Sequence, residues 1–297
     1  MLPSGEHMTK LDFVDTHVHF YDMQHPELFY AHWQPDVVHP TLGTRTRELG
    51  ERNFVAEDYI ALTRNANVTK AVHVQAAIGS KDPVKETEWL QEAADRTGFP
   101  RGIVAYADLR EPDVDDMLAR HAEYPLLRGI RDFSYGDYLT APEFHRGFAL
   151  LEKYNLSANM SVQWQEMEKL RDLAGKFPNI KMLVDHTGLP AERNDEYFAK
   201  WKQGMVTAAK PDNTVCKISG LGMSDNDWTV DRIRPFVLHC IESFGVDRCI
   251  FGTNWPVDSL FSGYDDIVDA YTEIISDFSE DEQIAMFSRN AELLYNI

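Results

Sequence analysis

Cysteine is scarce in this chain. Its 297 residues hold three, Cys216, Cys240 and Cys249, with no Cys-x-x-Cys spacing. That excludes a disulfide framework and a cysteine-based zinc site. Positive charge is also short: 29 Lys and Arg stand against 48 Asp and Glu, a net charge of −19. A nucleic-acid partner needs a basic face that replaces counterions on phosphate, so none is expected. No apolar run approaches the roughly 20 residues of a membrane span. The first residues also lack a basic-then-apolar leader pattern, so no membrane partner is expected and the cytoplasm is the expected location. No Gly-x-Gly-x-x-Gly or Walker-type loop follows an apolar run. Internal repeats and low-complexity linkers are missing as well. Much of the acidity, as in Asp113-Val114-Asp115-Asp116, reads as solvated surface.

What the chain does have is an ordinary globular composition, 43% hydrophobic, enough for a sizeable core without staples. Eight β-branched runs are expected as strands: Leu11–Val18, Val68–Ala76, Gly102–Ala107, Leu126–Phe133, Leu156–Val162, Ile180–Asp185, Thr214–Ser219 and Arg248–Gly252. Amphipathic stretches separate them, from Val55–Asn67 to Tyr264–Ser276. Pro83 and Pro142 stand where helices begin, and Gly98, Gly175 and Gly245 where they end. Strand–helix alternation implies a parallel sheet, and eight units imply an α/β fold of the (β/α)8 TIM-barrel type, a single domain over 1–297. The rival is an open doubly wound sheet. Residues 20–53 form a long irregular stretch after the first strand, carrying His25, Tyr30, His32, Trp33 and His39. A loop of that length is usually functional, and here it is expected to fold over the barrel mouth as a lid.

In such a barrel the chemistry sits at the C-terminal strand ends. The first end reads His17-Val18-His19. Alternation in a strand puts both imidazoles on one face, where they can bind a metal, polarise a carbonyl or hold a water. An arbitrary His-x-His is more often two surface residues in a loop. The other ends supply Gln75, Asp108, Arg131 with Asp132, Gln163, His186, Ser219 and Asn254. Loops are polar in any protein, so the count alone is moderate evidence.

The combination resembles the amidohydrolase superfamily. It is most similar to the amidohydrolase-2 branch that contains 2-pyrone-4,6-dicarboxylate lactonase, fuconolactonase and sulfomuconolactonase. The residues that carry the resemblance are Asp15-Thr16-His17-Val18-His19, Val74-Gln75-Ala76, Arg128-Gly129-Ile130-Arg131, Val184-Asp185-His186-Thr187-Gly188-Leu189-Pro190, Phe251-Gly252-Thr253-Asn254-Trp255-Pro256 and Asn290-Ala291. Each motif is weak to moderate, but their order over one chain is specific. The resemblance implies a hydrolase that opens a lactone or related cyclic ester of a small carboxylated or polyhydroxylated substrate. His17, His19, His186 and Asn254 would be catalytic, and Gln75 and Arg131 would bind substrate. Imidazole N–H groups or a metal can stabilise the oxyanion of ester attack, and arginine grips a carboxylate through two parallel bonds.

One position departs from the family pattern. Where the family carries Asp at the end of strand eight, this chain has Asn254, a neutral amide that cannot act as general base. Either the residue has been substituted, or another group (Asp258, His19 or His73) serves as base, or the chain no longer hydrolyses its ligand. The same change leaves the metal open. His17, His19 and His186 supply three ligands for one divalent cation such as zinc, and a metal-free site is an equal alternative. The rivals are a metal-dependent decarboxylase of an aromatic or unsaturated acid and a non-catalytic small-molecule binder. Self-association is a further expectation. Plainer readings apply elsewhere: His73 as a satisfied inner-barrel histidine, Lys217 as a buried ion pair, Asp185 contacting backbone, Arg131 pairing with Asp132 or Asp108, and His25, His32 and His39 as ordinary loop residues.

Overall fold

The computed structural model describes residues 11–39, 41–133 and 137–297. Residues 1–10 of the expected domain and Pro40 of the expected lid lie outside them. Eight parallel strands pair in chain order. They are β1 (Phe13–Val18), β2 (Val68–Val74), β3 (Gly102–Tyr106), β4 (Leu127–Arg131), β5 (Ser157–Met160), β6 (Met182–Val184), β7 (Thr214–Ile218) and β8 (Cys249–Phe251). All eight expected strands are present and shorter than their apolar runs. Ladder pairing stops where the chain turns at the rim, while the apolar pattern runs on into the loop. The intervening helices follow local signals. Pro142 opens Pro142–Lys153, the Asn194 side chain accepts from Tyr197 N–H to cap Asp195–Ala208, and Gly98 ends Val84–Thr97 at φ 85°.

The barrel closes at the β1–β8 seam. Val18 pairs with Trp255 in a parallel bridge, and the His19 amide donates to the Trp255 carbonyl at 2.8 Å. Gly252 makes this approach feasible: a Cβ there would stand 2.9 Å from the His17 backbone nitrogen. Asp15 binds the seam together. It accepts from the Thr253 amide (2.9 Å) and hydroxyl (2.6 Å), from Tyr264 (3.0 Å) and from Tyr59 (3.1 Å). One carboxylate thus ties β1 to the strand-eight exit and to the helices Ala56–Thr63 and Tyr264–Ile274.

The opposite end of the barrel is plugged from the C-terminus. Tyr295 and Ala291 pack with Val14, Val72, Val104, Leu183, Val215 and Ile250 inside the strands. They belong to a helical run not expected from periodicity, Glu280–Ile284, a π-turn at Ala285–Arg289, and Asn290–Tyr295. Its middle, Ala285-Met286-Phe287-Ser288, is buried all round, so no amphipathic stripe marks it.

The long loop after β1 is closed at its base by an antiparallel bridge, with Tyr21 and Phe54 exchanging N–H···O bonds of 2.8 and 2.9 Å. Trp33 stacks on Tyr30 at 5.4 Å and fixes its interior. Arg45 donates to the Leu260 carbonyl and Arg52 to the Ser259 hydroxyl, docking the loop on the strand-eight exit.

Candidate active site

A cavity of about 270 Å³ opens at the C-terminal strand ends. Of the sequence-expected site residues, His19, Gln75, Arg131, His186 and Asn254 line it. Each comes from a different strand exit, and Gln163, also expected at a strand end, joins them. His17 does not reach the cavity. It is fully buried beneath the rim, its ring centroid 4.9 Å from His19 and 4.3 Å from His186. Asp108 turns away to pair with Arg110 at 2.6 Å.

The turn carrying His186 is conformationally costly. His186, Thr187, Gly188 and Leu189 all have φ between 48° and 68°. Left-handed backbone costs a non-glycine residue roughly 1–2 kcal/mol, so the surroundings must hold it. The Trp201 indole N–H donates to the Thr187 carbonyl at 2.8 Å, one such restraint. Gly220 is required beside it: a Cβ there would come within 2.5 Å of His186 Nδ1.

A carbonyl sets the tautomer of one cavity histidine, and a hydroxyl partners the other. His19 Nδ1 stands 2.8 Å from the Val74 carbonyl, which only accepts, so Nδ1 carries the proton and Nε2 is a bare lone pair. His186 Nδ1 lies 2.9 Å from the Ser219 hydroxyl. With that hydroxyl donating, Nε2 of His186 carries its proton and is a donor. Burial, reinforced by the neighbouring His73 ring and the charge of Arg131, pushes His19 down to about 3. Burial likewise takes His186 to about 3 and His17 well below its ordinary value. The rings are therefore neutral at working pH. Gln75 adds a buried side-chain N–H2 with no hydrogen-bond partner among the described residues.

Beside the histidines lies a charged cluster. Asp185, fully buried, stands 3.1 Å from Arg131 Nε, 3.3 Å from Lys217 Nζ and 4.0 Å from His17 Nδ1, and accepts from Asn159 at 3.1 Å. This corrects the expectation that Asp185 contacts backbone. It also places Arg131 against Asp185, while Asp132 accepts from the Leu109 amide. Burial alone would raise the Asp185 carboxyl; Lys217 and Arg131 overcome it and hold it below the usual range. Burial pulls Lys217 down to about 8. The expectation of Lys217 as a buried ion pair agrees with the structure. So does that of His73 as a satisfied inner-barrel residue: it accepts from the Phe20 amide and lies 3.3 Å from Glu86.

Asn254 sits in left-handed backbone at φ 59°, a conformation Asn tolerates. Its amide nitrogen donates to Asp258 at 2.6 Å, and its oxygen lies 3.3 Å from His19 Nε2. Asp258 itself is buried behind Asn254 and does not line the cavity. Direct abstraction of a water proton by Asp258 is therefore out of reach.

The fit to a metal ion is incomplete. His17 has both ring nitrogens buried with no hydrogen-bond partner among the described residues, and the imidazoles are neutral, as ligands must be. Yet among the described residues no three His, Cys, Asp or Glu side chains are arranged to hold a metal. The strand-eight carboxylate that would complete a set is an amide. As arranged, these residues do not form a metal centre.

Several cavity residues escaped sequence reasoning. His32 and His39 line the wall, their rings 5.3 Å apart, with His32 against Phe133 at 5.4 Å. They are not ordinary loop residues, which corrects that expectation. Trp33, Leu42 and Val257 add an apolar face, and Ser161 accepts from Arg131 Nη2 at 2.7 Å. Only lid membership signalled the histidines, and Ser161 lay inside the expected strand Leu156–Val162 with no signal of its own.

Comparison with known proteins agrees with this fold. Residues 14–297 match the family model described as Amidohydrolase. The chain is 38% identical to an uncharacterized protein, y4mH, of Sinorhizobium fredii, over 98% of this chain and all of the relative. It is 26% identical to an L-fucono-1,5-lactonase of Burkholderia ambifaria, over 85% of this chain and 83% of that one. Among solved structures, an amidohydrolase of Burkholderia multivorans with bound zinc superposes with a TM-score of 0.82 at 24% identity, covering 96% of this chain and 99% of that one.

Proposed function

This chain belongs to the amidohydrolase family of hydrolases, and from that premise we propose that it opens a lactone or related cyclic ester of a small molecule. The observation that carries this reading is the pair of cavity histidines with opposite capabilities. His19 offers a bare nitrogen and His186, with Ser219 donating to its Nδ1, an N–H, both neutral. In the proposed reaction, His186 Nε2–H donates to the lactone carbonyl and stabilises the oxyanion that develops there. A water oxygen attacks the carbonyl carbon while one of its protons passes to His19 Nε2. Collapse of the tetrahedral species breaks the ring C–O bond, and the His19 imidazolium returns the proton to the leaving oxygen. Water is thereby added across the acyl bond. Arg131 and Gln75 meet a carboxylate or hydroxyl, while Trp33, Leu42 and Phe133 cover the less polar part of the ring. No step runs through a metal ion.

A panel of sugar lactones, muconolactones, pyrone carboxylates and hydroxybenzoates tests the reading, with proton release and carbon dioxide followed separately. Proton release without carbon dioxide is expected. His19→Gln and His186→Gln should each lower kcat by about 10²- to 10⁴-fold, the range for a lost general acid or base. Carbon dioxide as a product would make the protein a decarboxylase. Silence across the panel, with ligand-induced thermal stabilisation, would make it a binder.

A further inference from the structure

Asn254 occupies the position from which a carboxylate would serve as base, and an amide can face a cavity in two ways. With its oxygen outward it accepts; with its nitrogen outward it donates, and would block the bare nitrogen of His19. What decides between them is the residue behind. Asp258 stands 2.6 Å from the Asn254 amide nitrogen and takes a further bond from the Gly222 amide at 3.2 Å. When ionised, this group only accepts, so it captures the N–H2 end and turns Oδ1 toward His19. The result is unusual: two acceptors, Asn254 Oδ1 and His19 Nε2, face each other at 3.3 Å, and neither has a proton to share. His19 cannot supply one, because the Val74 carbonyl holds its single proton on Nδ1. Two converging acceptors at a cavity wall suit a ligand with two O–H donors.

We propose that Asp258 is a positioning residue that fixes the Asn254 amide with its oxygen toward the cavity, so that Asn254 Oδ1 and His19 Nε2 together receive the two hydrogens of the attacking water. In this arrangement the water is held by both groups, and its lone pair is left free to meet the carbonyl carbon. The hydrogen on the His19 side is transferred to nitrogen. The one on the Asn254 side stays on oxygen and only orients. The chain has thus divided between three residues what a single aspartate would do: His19 takes the proton, Asn254 aims the water, and Asp258 aims Asn254. Close packing supports the arrangement. A Cβ on Gly222 would lie 2.6 Å from Asp258 Oδ1, so the carboxylate and the strand-seven exit are fitted to each other. The catalytic half of this proposal rests on the hydrolase reading above; the orientation of the amide does not.

Two measurements separate those halves. Side-chain ¹⁵N–¹H correlation spectra, with the Asn254 pair assigned by its loss in Asn254→Ala, report the amide directly and need no substrate. In the native protein its N–H2 should carry the signature of one proton bonded to a carboxylate, and Asp258→Asn should move that resonance. An unmoved resonance overturns the proposal. The second measurement is a double-mutant cycle on a lactone that the native enzyme opens. Asp258→Asn should lower kcat by about 10- to 100-fold, as a misplaced reacting group does, with KM within about 3-fold. In the Asn254→Ala background the same change should cost no more than about 2-fold. A residue that merely supports the fold would cost as much in both backgrounds, and equal losses overturn the proposal. If no lactone is turned over, the hydrolase reading fails while the spectra still decide the orientation.

Discussion

Asp15 and Asp185 are both wholly buried in one barrel, and they are kept there by opposite means. Asp15, at the β1–β8 seam, is surrounded by neutral donors: Thr253 through amide and hydroxyl, with Tyr59 and Tyr264. Asp185, at the β6 exit, faces two cations, Arg131 and Lys217. Burial raises the Asp15 carboxyl in spite of the bonds from Thr253, whereas the cations bring Asp185 down in spite of burial. The lesson is one of division of labour. The seam spends its carboxylate on geometry, joining first strand to last. The β6 side holds charge beneath the histidines, where Arg131 and Lys217 add to burial in keeping the His186 ring neutral.

Removing charge from the β6 side should do the most damage. Asp185→Asn leaves Lys217 and Arg131 buried against an amide, and a broken buried pair costs about 3–5 kcal/mol. Urea denaturation at pH 7 measures it, and Asp185→Asn/Lys217→Met should recover much of the loss. The sign with pH follows from the direction of the shift. A carboxyl lowered by folding stabilises fully above its unfolded pKa and loses that contribution as pH falls through the folded value. The native protein should therefore weaken in acid more steeply than Asp185→Asn. A parallel pH dependence in the two proteins would mean that the cations do not hold Asp185 in its charged form.

Asp15→Asn is the counterpart at the seam and should cost less, about 1–3 kcal/mol, because an amide keeps one acceptor and loses the others. Here the pH sign is opposite. A carboxyl raised by folding binds its proton more tightly when folded, so its ionisation costs stability as pH climbs from the unfolded value through the folded one. The deficit of Asp15→Asn should accordingly shrink toward higher pH, where native Asp15 bears the cost of its own charge. A loss larger than that of Asp185→Asn would invert the comparison.

The barrel itself was legible in the sequence, because β-branched runs between amphipathic stretches carry the physics of a parallel sheet at every step. The site was legible where a side chain leaves a strand end: His19, Gln75, Arg131, His186 and Asn254 all reach the cavity. His17 marks the limit. Alternation puts it on the same face as His19, but two residues earlier in the strand is deeper in the barrel, and it lies below the cavity floor. Asp185 could not be placed from the pattern because its partners, on β4 and β7, are distant in sequence and meet only through closure. His32 and His39 were missed for a related reason. A loop has no period, so nothing in the sequence says which of its residues face inward.

Asp258 sharpens the comparison, being a third buried carboxylate provided for by neither means. Among the described residues it pairs with no cation and has few donors, the Asn254 amide and Gly222 N–H, and burial raises it to about 7. Its folded value lies above the unfolded one, so the cost of ionising it grows as pH rises from about 4 and is complete above 7. A shift of that size sets a ceiling of about 4 kcal/mol. Asp258→Asn abolishes this cost but weakens hydrogen bonds worth about 1–3 kcal/mol, so the net gain should be at most about 1–3 kcal/mol at pH 8 and should vanish or reverse at pH 4. Chemical denaturation at the two pH values reads the difference. A carboxylate that destabilises the protein at neutral pH, and whose isosteric replacement stabilises it while slowing turnover, is retained for its orientation of Asn254 and not for the fold. A loss of stability in Asp258→Asn at both pH values would instead place Asp258 with Asp15, among the residues that hold the seam.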